Sequence, residues 1–307
     1  MDFTKRARAL KTTLYSLSQV IREKERGVVL GFDPEDLHDF RVALRRTRTA
    51  VSVLEKLELH PQINDFKKDF SWLASHTDTR RDLDVFLRDL TDYIYRRSVS
   101  EKLRLSPLVD LLRHLRLVEH SKLVVTMTSR RYSDLLDRWE RFLASKSRKQ
   151  PLSVTSKLAR ESVADAASRL LENTQSSRTG ESIKELHRVR IRCKKLRYTL
   201  EFFRDSLPKS GLDHQVRRLK RLQSCLGRVN DFEVQLAWLK DLTNRLDVDG
   251  AYLAGTSSAI ELLRGHLIKQ QTEYIAKFRH LISEFSSQQH RAQLEDLVAL
   301  PLDAASS

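Results

Sequence analysis

Two stretches of this chain correspond residue for residue at a fixed distance. Leu37-His38-x-x-Arg41-Val42-x-x-Arg45-Arg46-x-Arg48 matches Leu186-His187-x-x-Arg190-Ile191-x-x-Lys194-Lys195-x-Arg197. The offset is 187 − 38 = 149. It also pairs Ser75 with Ser224, Asp82 with Asp231, Asp84 with Glu233, Val85 with Val234 and Leu90 with Leu239. A gap-free register over that length predicts two copies of one structural unit. The units are expected at residues 1–147 and 151–300. The polar stretch from Ser145 to Leu152, which contains Pro151, is read as the seam.

Each unit reads as helix. Apolar residues recur at three- and four-residue spacing, and Leu, Arg, Lys, Glu, Ala and Asp dominate. Only 8 Gly and 6 Pro occur in 307 residues, too few for the turns of a sandwich, barrel or Rossmann sheet. About ten helices are expected. Their breaks are placed near Gly27–Gly31, Pro61, Asp78, Ser98, Ser129, Pro151, Gly180, Gly211, Gly227 and Gly250–Gly255. Every proline is assigned to a position between helices. Asp33-Pro34 and Ser106-Pro107 are read as N-caps followed by a first helical proline, and Ser182-x-x-Glu185 as a capping box.

On a helical wheel Leu37, Phe40, Leu44, Val51 and Leu54 share one arc. Their counterparts Leu186, Val189, Cys193, Leu200 and Phe203 share the same one. His38, Arg41, Arg45 and Arg48 occupy an adjacent arc ~80° wide, and His187, Arg190, Lys194 and Arg197 repeat it. Such a row is self-repelling, and no carboxylate at i+4 is read as offsetting it. Either neighbouring acids (Asp82, Asp84, Asp231, Glu233) neutralise the rows, or the rows hold an external anion. Duplication and the net charge of +15, from 56 Lys and Arg against 41 Asp and Glu, favour the second reading.

The repeated motif, with Arg81-Asp82-Leu83-Asp84-Val85 after its first copy, resembles the CHAD family, the conserved-histidine α-helical domain. Ser129-Arg130-Arg131-Tyr132 is similar to that family's Arg-Tyr segment. The resemblance implies an all-α fold of two pseudo-twofold-related four-helix bundles flanking a basic central cleft. It implies binding of inorganic polyphosphate and association with polyphosphate granules. The implied binding residues are His38, Arg41, Arg45, Arg48, His187, Arg190, Lys194 and Arg197, with Arg130, Arg131 and Tyr132 as additions. No acidic ExExK strand of the CYTH type occurs, so a stand-alone member is implied. Asn230 stands where the first half has Arg81, a departure that makes the two halves unequal.

Other classes find less support. No Gly-rich phosphate loop, CxxC pair, long apolar run or secretory leader is present, so a cytoplasmic, non-membrane protein without cofactor is expected. Cys193 and Cys225 are read as buried thiols. His38-Asp39 resembles a metal phosphohydrolase dyad, but Arg188 replaces its aspartate in the second copy, and no nucleophile–base pair is evident. A metal-dependent phosphohydrolase using the paired His38 and His187 as ligands is the lesser alternative, and an enzyme is not expected. RNA or single-strand binding is the main alternative. It calls for exposed aromatics, whereas aromatics are 7% of the chain and only Tyr132 and Tyr198 are candidates. On either reading the histidines are expected to tighten anion binding as pH falls.

Overall fold

A computed structural model describes residues 3–56, 62–145, 156–176, 182–204, 207–248 and 255–299. Among these it contains ten helices and no strand. The first half comprises α1 (Phe3–Leu30), α2 (Pro34–Lys56), α3 (Ile63–Tyr95), α4 (Val99–Met127) and α5 (Arg130–Ala144). The second comprises α6 (Ser156–Ser176), α7 (Ile183–Phe202), α8 (Leu212–Val248), α9 (Thr256–Phe285) and α10 (Gln288–Val298). Helices α2 and α7, and helices α3 and α8, begin at positions separated by the sequence offset of 149 (183 − 34 and 212 − 63). Each half adds a short fifth helix to the expected four.

The helix ends follow local chemistry. Asp33 Oδ1 accepts the Glu35 amide at 2.9 Å, and Glu35 and Asp36 meet the positive end of the α2 dipole. Gly31 turns α1 into α2 at φ +69°, and a Cβ there would collide with the His120 ring. Ser129 caps α5 through the Tyr132 amide. The Ser182 hydroxyl takes the Lys184 amide and not that of Glu185, so the expected reciprocal box does not form.

Three expected breaks are absent. Pro107 lies inside α4, which begins eight residues earlier at a Ser98–Glu101 capping box. The Leu103 carbonyl, deprived of an amide donor by Pro107, accepts the Ser106 hydroxyl at 2.8 Å. Helix α3 runs through Asp78, and α8 runs through Gly227. The breaks assigned to Pro61, Pro151 and Gly180, and the seam from residue 146 to 152, lie outside the described residues.

Every residue of the two apolar arcs is buried, including Phe40, Val51, Cys193 and Leu200. They belong to one core cluster that draws on both halves. A second cluster joins the C-terminal part of α3 (Leu83, Phe86, Leu90) to α4, α8 (Phe232, Leu239) and α9 (Ile260, Leu263). The halves therefore share their cores, with α2 against α7 and α3 against α8. That packing brings the two basic rows together. No described helix is long and apolar enough to cross a membrane.

Candidate functional site

Because α2 and α7 pack together with their apolar arcs buried, the neighbouring basic arcs converge at the junction. Tyr198 of α7 marks the meeting point. The Arg45 guanidinium from α2 lies 5.8 Å from its ring centroid, and that of Arg197 lies 4.5 Å away. Arg45, Arg48, Lys194, Lys195 and Tyr198 line a groove of about 400 Å³, with Lys67 and Ser71 on its α3 side. Among the described residues no carboxylate pairs with Arg45, Arg48, Arg190 or Lys194.

Other row members have internal partners. Arg41 donates to Thr77 Oγ1 and forms an ion pair with Asp78 at 2.7 Å. Arg197 does have a carboxylate at i+4, contrary to expectation: Glu201 stands 3.7 Å away and also faces Arg46 at 3.6 Å. Arg41, Arg45, Arg190 and Lys194 thus form the centre of the row, and Arg197 its neutralised end.

His38 is held against an arginine. Its Nδ1 accepts from Arg81 Nη2 at 3.1 Å. A guanidinium has no acceptor, so the imidazole must be neutral at that nitrogen. Burial, helped by Arg81, also lowers its pKa. The sequence marks Arg81 by its replacement in the repeat, but not as the donor to His38. His187 is exposed, and Asn230 stands opposite in place of an arginine.

The acids divide in two. Asp82 and Asp231 lie beside the row: burial raises both carboxyls, Asp82 to about 6 against Arg41 and Arg190, and Asp231 against Arg228, 3.9 Å away, and then Arg190. Asp84 and Glu233 do not neutralise the row. Asp84 is buried against Arg80 and Arg116, and Glu233 accepts from Gln271. Arg130 and Arg131 are not brought to the α2–α7 junction either. Arg130 is exposed beside Asp134, while Arg131 pairs with Asp69 at 3.3 Å and stacks 4.0 Å over Trp72. Tyr132 and Tyr198 are buried, 1% and 4% exposed, so neither offers a free stacking face. Among the described residues no group of three or more His, Cys, Asp or Glu could hold a metal ion. Asp39 of the suspected dyad is paired with Lys24 at 3.2 Å.

A family model described as the CHAD domain matches residues 14–240, which includes both histidine helices. The chain belongs to the CHAD domain family. The crystal structure of the CHAD domain from the plant Ricinus communis superposes with a TM-score of 0.73 at 23% identity, covering 91% of each chain. PptA from Streptomyces chartreusis does so with a TM-score of 0.66 at 15% identity, covering 91% of this chain and 98% of that one. None of the curated proteins compared matches the sequence. At these identities the likeness fixes the fold of this CHAD domain. The chemistry of the row rests on its own residues.

That chemistry is electrostatic. Burial, then Arg190, Arg45 and Arg41, pulls the Lys194 ammonium down to about 7. Burial likewise works against charge on Arg45 and Arg190. Like charges held together out of water favour any anion that enters between them.

Proposed function

We propose that this CHAD domain is a non-enzymatic receptor for inorganic polyphosphate, gripped between α2 and α7. The observation that carries the reading is the convergence of Arg41, Arg45, Arg190 and Lys194, from two helices, with three of the four lacking a carboxylate partner among the described residues. Polyphosphate presents closely spaced negative oxygens and no bases. Guanidinium forks and a compact ammonium on rigid helices suit that pattern. The burial of Tyr132 and Tyr198, the two aromatic candidates, favours it over a base-stacking nucleic acid. Association with polyphosphate granules follows from the same affinity.

The pH response belongs to Lys194 and Asp82. Bound phosphate raises the Lys194 pKa above its free value of about 7. Between the free and bound values the complex holds a proton that the free protein lacks, so affinity falls as pH rises through that window. Asp82, at about 6 when free, is pushed up too and acts in the same direction. His38 contributes little, being committed as an acceptor to Arg81.

Calorimetric titration with polyphosphate of defined length tests the reading. Affinity is expected to drop steeply with salt, by counterion release, and by roughly tenfold between about pH 6 and about pH 9. The complex should take up protons near neutrality. Tighter binding of single-stranded RNA at matched charge would overturn the proposal, as would affinity insensitive to salt.

A further inference from the structure

The two halves differ where Arg81 meets its counterpart, Asn230. In the first half Arg81 fills the space beside the histidine and donates to His38. In the second, Asn230 is three heavy atoms shorter than an arginine, and a cavity of about 410 Å³ opens there. Its apolar walls are Ile183, Leu186, Leu226 and Val229. His187, Arg188, Arg190 and Asn230 are also among its lining residues. Among the described residues neither His187 nor Asn230 makes a side-chain hydrogen bond. Glu233, also lining it, is held by Gln271 at 3.1 Å.

Although Lys184, Arg188 and Arg190 stand among its lining residues, the walls themselves are apolar and poor ground for a bare phosphate, whose burial against them would cost its hydration. The hollow suits a flat, uncharged heterocycle. The Asn230 amide offers both a donor and an acceptor, the pairing that reads an adenine edge, and the volume lies in the range of small-molecule sites. Arg190 lines this cavity and also belongs to the row, so a group seated here is covalently within reach of phosphates held by the row.

We propose that the cavity beside His187 and Asn230 seats the base of a nucleoside oligophosphate whose phosphates lie on the Arg190 end of the row. The inference rests on the row being a polyphosphate site. It adds a second ligand class, set by one residue that breaks the repeat. Inorganic polyphosphate uses the row alone, whereas a nucleoside triphosphate uses row and cavity together.

Binding of ATP and of inorganic tripolyphosphate, without magnesium, separates the two contributions because both carry three linked phosphates. The intact protein should prefer ATP by about tenfold, the worth of seating one base. Asn230→Arg refills the space as Arg81 does in the first half. It should erase that preference while leaving long-chain polyphosphate binding intact or stronger. If charge alone governed, the added cation would tighten both short ligands equally and any preference would persist. Should Asn230→Arg lose native helix content, His187→Ala is measured in its place with the same expected loss of preference. Tripolyphosphate binding as tightly as ATP to the intact protein, or a preference that survives these changes, overturns the proposal. Loss of long-chain binding in the intact protein would instead overturn the reading on which it rests.

Discussion

Replacing Arg41, Arg45, Arg190 and Lys194 together by alanine is expected to abolish polyphosphate binding and leave the protein folded. Each charge-assisted contact to a phosphate oxygen is worth about 1.5–3 kcal/mol. Loss of four removes at least ~6 kcal/mol, about four orders of magnitude in affinity. Stability should hold or rise. The row is self-repelling, its lysine is already pulled down to about 7, and alanine is a better helix former than any residue it replaces. Among the described residues the only ion pair lost from the four is that of Arg41 with Asp78, whose carboxyl is largely exposed and can hydrate. Titration with polyphosphate and thermal unfolding of the same variant check both halves of this expectation. Retained affinity with native helix content would sink the site assignment. Unfolding would show that the row supports the fold.

Asp84→Ala should produce the largest loss of stability from a single acidic residue. Its side chain is 2% exposed and the Arg80 guanidinium beside it 3%, with Arg116 Nε bonded to the same carboxylate at 2.8 Å. Removing the carboxylate strands a buried cation, at a cost of about 3–5 kcal/mol. The repeat supplies a control. The offset places Val229 opposite Arg80 and Glu233 opposite Asp84, so the second half has no such pair, and Glu233 is exposed. Glu233→Ala should shift stability by less than about 0.5 kcal/mol. Chemical denaturation of the two variants decides it. Equal effects would show that the Arg80–Asp84 contact contributes nothing particular.

Much of this was legible before any coordinates because burial and charge follow helix periodicity. The arcs from Leu37 to Leu54 and from Leu186 to Phe203 are buried as the wheel requires, and the adjacent arcs meet because α2 packs on α7. The absent breaks have one common cause: a polar or helix-breaking residue resembles a loop signal in sequence even where a helix accommodates it. Asp78 is polar because it pairs with Arg41 across α2 and α3, which leaves α3 free to continue. Pro107 is tolerated because Ser106 satisfies the Leu103 carbonyl. Pairings between helices were harder to read, since a sequence motif does not say which acid faces which base. Asp82 and Asp84 are two residues apart and point in different directions, one toward the row and one into the buried Arg80 pair. The histidine's role was invisible for the same reason. Only the fold puts His38 against Arg81 and leaves His187 beside Asn230 and a cavity.

The most direct test is a crystal structure with a short polyphosphate of uniform length. The account predicts one continuous chain of phosphate density between α2 and α7, with its oxygens on Arg41, Arg45, Arg190 and Lys194. Density confined to the exposed Arg130–Arg131 end of α5, or scattered over surface lysines with the α2–α7 groove holding only water, would contradict it.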